Sequence, residues 1–226
     1  MSRRLEAILV IASLLTGATS TVGTLTFRAG QDLDLVASAN PGTPGSSDTD
    51  RTAVFERARG KRVQADAVAS ASATCDGCKG TAAAVQVIYV NKAKKPTADN
   101  LANAWSSCSN CHATSVSVQV VVVRPGTTLT ARNRAFAVNA SCTGCTSAAV
   151  AVQFVVVTSK HRAFSRQGRQ QLEALANELQ AQLSSRAKTD RLAAAKGTSA
   201  SSGIDALVRK ELKPVSVKPQ FTVETG

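Results

Sequence analysis

The chain has 226 residues, with 27 Lys and Arg against 15 Asp and Glu, a formal net charge of +12 and a pI near 9.9. That length suits one modest domain with tails, and the charge points to polyanionic neighbours without choosing among them. Hydrophobic residues make up 43% but aromatic ones only 4%, so a core must come from small Ala and Val side chains that each bury little area. Covalent staples would help such a core. The chain has two histidines and lacks a Gly-x-Ser-x-Gly elbow, a phosphate-cradling loop and a His-Glu-x-x-His pair. An enzyme is therefore not expected.

Residues 1–20 read as a signal peptide. Arg3 and Arg4 precede an apolar run over 8–15 (ILVIASLL), and Ala18-Thr19-Ser20 offers small residues for cleavage. The rival is an uncleaved anchor to about residue 25, since 7–25 carry no charge. Either reading puts the remainder outside the cytoplasm, secreted or associated with the cell envelope. Residues 21–62 are expected to be a flexible linker. Asn40-Pro41-Gly42-Thr43-Pro44-Gly45 suits no packed element, and Arg57, Arg59, Lys61 and Arg62 form a basic cluster behind it.

Residues 63–157 hold three copies of one unit. Cys75-x-x-Cys78, Cys108-x-x-Cys111 and Cys142-x-x-Cys145 each lead into a Val-rich run, and Gln86, Gln119 and Gln153 each lie eleven residues after their first cysteine. The runs after the cysteines read as strands apolar on both faces. The segments before them are more ambiguous: 135–141 alternates as a strand does, whereas Leu101 and Trp105 are four apart in an Ala-rich stretch that also suits a short helix. The residue before each second cysteine is Gly77, Asn110 or Gly144, types that tolerate positive φ. The fold expected is therefore β-rich α+β, three tandem β-hairpin-like repeats with a C-terminal amphipathic helix. The alternative is an α/β repeat stack of helix, turn and strand. The seven basic and three acidic residues of the repeats, against twelve and six after them, suggest charge spread out and not gathered into one patch.

Residues 158–196 form a helical segment. Over 167–184, Leu172, Leu175, Ala176, Leu179 and Leu183 share one face suited to covering the sheet. Residues 197–226 are expected to be a flexible tail with a short helix over 204–212, broken by Pro214 and Pro219.

Outside the cytoplasm the six cysteines should oxidise, and the repeat favours pairing 75–78, 108–111 and 142–145 among fifteen possible patterns. Thiol–disulfide redox is the alternative role. Zinc would need two pairs to converge, and the gaps of 29 and 30 residues between pairs look long for that. Cys108, Cys111 and His112 also match the Cys-x-x-Cys-His signature of c-type haem attachment. The sister positions, Lys79 and Thr146, and the lack of a second axial ligand argue that His112 falls there by chance. No metal or cofactor is expected. The three glutamines are structural amides, and would bond to one another if the repeats stack in register.

The unit Cys-x-x-Cys-x4-V-x-V-Gln is similar to that of exported proteins of high-GC Gram-positive bacteria with tandem pairs before Val/Ala-Gln strands. The first copy departs from it at Ala83. That resemblance implies an envelope-associated or secreted location and transfers no catalytic residue. The functional expectation is an exported structural or binding module, a disulfide-stapled sheet with weak affinity for anionic polymers. Its partners would be an anionic cell-wall polymer or further copies of itself. Nucleic acid is not expected, and membrane contact only through an uncleaved N-terminal segment.

Overall fold

The two strands that flank each cysteine pair do not bond to each other. In the computed structural model, which describes residues 30–186 and 190–226, they enter two different sheets. One sheet has the order β1-β3-β5-β7, formed by Gln31–Ala39, Val63–Ala73, Thr97–Ser106 and Thr130–Asn139. The other has the order β2-β4-β6-β8-β9, formed by Ser47–Ala58, Lys79–Val90, His112–Val123, Thr146–Val157 and Ser216–Thr225. All pairings are parallel except β8 with β9. The molecule is therefore a β-rich repeat stack in which each coil is one strand, a tight turn and a second strand that crosses to the facing sheet.

The expected turn chemistry holds, with φ of 70° at Gly77, 55° at Asn110 and 71° at Gly144. The hairpin pairing does not. The same turn serves a hairpin or a corner between sheets; here each strand bonds instead to its copy in the next coil, because identical strands in register align every apolar and amide position. The helix–strand alternative also fails, since 97–106 and 130–139 are strands. Repeat three carries one extra residue, absorbed at Ser141 with φ 52°. Pairing therefore shifts from 33 residues between Thr97 and Thr130 to 34 between Gln119 and Gln153.

Two expected flexible regions are ordered strands. Within 21–62, β1 and β2 form a fourth coil that pairs with the first cysteine coil over its full length. Thr43-Pro44-Gly45-Ser46 takes the place of the Cys-x-x-Cys turn, with Gly45 at φ 73°. Pro and Gly there build a corner, not a linker. In the tail, α2 (Asp190–Leu212) runs through 197–203, and β9 then lies antiparallel along β8. Pro219 is tolerated because β9 is an edge strand. The expected signal segment lies outside the described residues. Among the described residues no helix is long and apolar enough to cross a membrane.

Three layers result. Between the sheets the core is largely alanine: Ala69, Ala71, Ala102 and Ala104 face Ala82, Ala84, Ala149 and Ala151. Large side chains have little room in this part of the layer, next to the cysteine turns, whereas at its other end the same layer holds Leu33, Ile88, Val121 and Val123. A Cβ on Gly80 would collide with the carbonyl of Ser72. Phe136 and Val138 consequently point outward, half exposed, while Ala135 and Ala137 face in. The second face of the five-stranded sheet presents Val118, Val120, Val152 and Phe154 to the helices. As expected, α1 (Arg166–Arg186) covers it with Leu172, Ala176, Leu179 and Leu183, each leucine stabilising by about 2 kcal/mol. Ser165 caps α1, its Oγ accepting the Gly168 N–H at 2.9 Å.

Candidate functional site

Parallel stacking sends every turn of one kind to the same side of the molecule. Turns within the coils lie along one edge and turns between coils along the opposite edge, about one strand spacing of 4.8 Å apart.

Along the first edge the three disulfides form a column. Cys75–Cys78, Cys108–Cys111 and Cys142–Cys145 are bonded as the repeat suggests, with Cα atoms 5.4, 5.8 and 5.9 Å apart. The turns are laced together by backbone bonds of 2.8 Å from Gly45 to Asp76, Gly77 to Ser109 and Asn110 to Thr143. Cys78 and Cys111 are fully buried, while Cys75, Cys108 and Cys145 are half buried. The Cys145 sulfur sits 2.7 Å from the Cys108 carbonyl oxygen, and the Cys108 sulfur 3.2 Å from that of Ala73. His112 opens β6, and its Nδ1 lies 2.6 Å from Thr146 Oγ1. The two sulfurs of the haem-like signature are bonded to each other.

Inside, the glutamines do form a ladder. Gln119 Nε2 donates to Gln86 Oε1 at 2.7 Å and Gln153 Nε2 to Gln119 Oε1 at 2.6 Å. The lower end donates to Leu33 O at 2.5 Å. A second ladder, which sequence reasoning missed, joins Asn100 Nδ2 to Asn133 Oδ1 at 2.7 Å, with Ser117 Oγ donating to Asn100 Oδ1 at 2.7 Å.

The opposite edge is strongly basic. Its turns are 57–62 (RARGKR), 91–97 (NKAKKPT), 124–129 (RPGTTL) and 158–162 (TSKHR), which together carry ten Lys and Arg, His161 and no acid. The charge that looks spread out along the chain is gathered by the fold, so the expectation of no single patch is corrected. The cysteine edge, by contrast, has only Asp76 among its turn residues 40–46, 74–78, 107–111 and 140–145. Backbone bonds hold the basic turns in place, with Thr128 N to Lys94 O at 2.9 Å and Thr158 N to Val123 O at 3.0 Å. Arg57, Arg124, Lys160, His161 and Arg162 surround a shallow concavity above Tyr89. The signal for this edge was present: Lys61 and Lys94 are 33 apart, the repeat period itself, and Lys92 and Arg124 are 32 apart, one residue from it. No known protein family, curated protein or solved structure matches this chain. The site must stand on its geometry. What that geometry offers is a row of cations, with a basic group on each successive turn.

Proposed function

We propose that the chain is an exported structural and binding module of the cell envelope, which holds an anionic cell-wall polymer along its basic edge. The observation that carries this reading is the convergence of ten Lys and Arg, without an acid, on the four turns of one edge. A linear polymer lying along the stack axis would meet a new group of cations at each coil. Exposed Lys92, Lys94 and Lys95 would supply mobile point charges, and Arg57 and Arg124 planar donors for phosphate or carboxylate. Binding of this kind is weak per contact and screened by salt, over about 10 Å at 0.1 M. Three disulfides suit an oxidising compartment, and the resemblance to exported envelope proteins supports the same location.

The test is titration of the full chain with a teichoic-acid-type polyphosphate at rising ionic strength. Charge reversal by Lys92→Glu, Lys94→Glu and Lys95→Glu should weaken binding by about tenfold or more. Lys79→Glu at the cysteine edge should leave it unchanged. Equal affinity in both variants, or binding indifferent to salt, would sink the reading.

A further inference from the structure

The objection to a thiolate metal site in this sequence is the thirty residues that separate one cysteine pair from the next. The fold removes it. Cys108-x-x-Cys111 and Cys142-x-x-Cys145 lie in adjacent coils, and the sulfurs of Cys111, Cys142 and Cys145 fall within 4.8 Å of one another. The Cys108 sulfur is bonded to that of Cys111 and completes a group of four. A tetrathiolate site for a d10 divalent ion asks for sulfurs about 2.3 Å from the metal, hence about 3.8 Å apart. Three of the four sulfurs already lie within 4.8 Å of one another and the fourth is bonded to Cys111. The site therefore needs Cys108 to swing toward Cys142 and Cys145, a movement that opening two disulfides permits.

We infer that, when the two C-terminal pairs are reduced, Cys108, Cys111, Cys142 and Cys145 bind one zinc-like soft divalent ion, so that the same edge is either stapled or metallated. A dithiol reductant opens each disulfide by exchange. It becomes a cyclic disulfide and leaves two cysteine thiols, with two electrons and two protons transferred per pair. The four thiols then bind the ion with release of four protons. Reduction does not dismantle the scaffold, because the strands flanking each pair are bonded to neighbouring coils and not to each other. The wall of the site is already built. The Asn110 N–H to Thr143 O bond at 2.8 Å locks the two turns together, and Cys111 is fully buried. The third pair is set apart from the group, as Cys75 and Cys78 contact instead the carbonyl oxygens of Pro41 and Thr43 in the coil that lacks cysteines.

The experiment reduces the full chain under argon, removes the reductant and titrates it with Co(II). One equivalent should bind with the visible bands of a tetrahedral tetrathiolate, and Zn(II) should displace it. Cys142→Ala/Cys145→Ala should abolish the bands, and Cys75→Ala/Cys78→Ala should keep them. In the unaltered chain, Zn(II) should slow alkylation of the four named cysteines while leaving the rates at Cys75 and Cys78 unchanged, a readout that needs no variant to fold. Three results would each overturn the inference: no tetrahedral spectrum, bands that survive loss of Cys142 and Cys145, or equal protection of all six cysteines.

Discussion

The side-chain amide of Gln119 donates to Oε1 of Gln86 at 2.7 Å, and both residues are buried in the middle of their strands. Gln119 also donates to Ala65 O at 2.9 Å and accepts from Gln153 at 2.6 Å. Every coil thus satisfies the next, and a slip in register would leave amides unpaired in an apolar layer. Gln119→Leu strands Gln86 Oε1 and leaves Gln153 Nε2 with only its longer 3.5 Å bond to Ala98 O, and should cost about 2–4 kcal/mol. Gln153→Leu orphans only one acceptor, and removes an Oε1 that has no partner in the first place. Its cost should be about 1 kcal/mol. Urea midpoints of the two variants should therefore differ clearly, with Gln119 the more sensitive site.

Each disulfide closes a loop of only four residues, and the strands on either side belong to different sheets. On loop entropy alone, each should contribute about 2 kcal/mol. Full reduction should lower the unfolding midpoint while leaving the far-ultraviolet circular dichroism β-type at room temperature. Loss of the β signal on reduction alone would mean that the disulfides hold the coils together, against the strand pairing described above.

The repeat, the turn residues with positive φ, the glutamine ladder and the apolar face of α1 were all legible, because each rests on a local pattern with one physical meaning. The first coil was not. Its Thr43-Pro44-Gly45-Ser46 corner does in a Pro-Gly turn what the others do with cysteines, and composition alone cannot tell such a corner from a linker. Nor was the strand partner legible, since Asp76-Gly77 would serve a hairpin as well as a corner. Phe136 reads as core by hydropathy, yet the gap between the sheets admits only methyl groups beside Ala82 and Ala84, so the smaller residue of each alternating pair faces in. The basic edge was hidden for a related reason. Lys61 and Lys94 are distant along the chain and become neighbours only once the stacking is known.

Tyr89 anchors the start of α1, its phenol oxygen accepting the Phe164 N–H at 2.9 Å. Burial raises its pKa above the usual 10, outweighing the Phe164 hydrogen bond and the nearby arginines. An acid whose pKa is higher when folded favours the protonated native state. Its contribution is complete below pH about 10 and is lost as pH climbs through the raised value. Tyr89 is the sole tyrosine, so absorbance of its phenolate reports it alone. The titration midpoint should lie above that of the unfolded chain, and alkaline unfolding should begin in the same range. Tyr89→Phe should cost about 1–3 kcal/mol by leaving the Phe164 N–H unpaired, and should remove that part of the pH dependence.

The two ends of the stack are guarded differently. At the C-terminal end β9 pairs along Val-rich β8 and covers that edge with a Pro-containing strand, while β7 ends the facing sheet. At the other end β1 and β2 have no neighbouring strand beyond them among the described residues. Such an edge invites pairing with another chain. Here two carboxylates occupy it. Asp50 Oδ2 accepts the Ser38 N–H and Asp48 Oδ2 the Asn40 N–H, each at 2.7 Å. Asp50 occupies the position that Ala82 fills in the next coil, so the charge points inward, where a docking strand would have to bury it. Asp48→Ala with Asp50→Ala frees both amides and removes that penalty. The double variant should self-associate at lower concentration than the unaltered chain, seen as a rising sedimentation coefficient, and should shorten the lag before fibre growth. An unchanged sedimentation profile across the same concentrations would show that the carboxylates do not guard this edge.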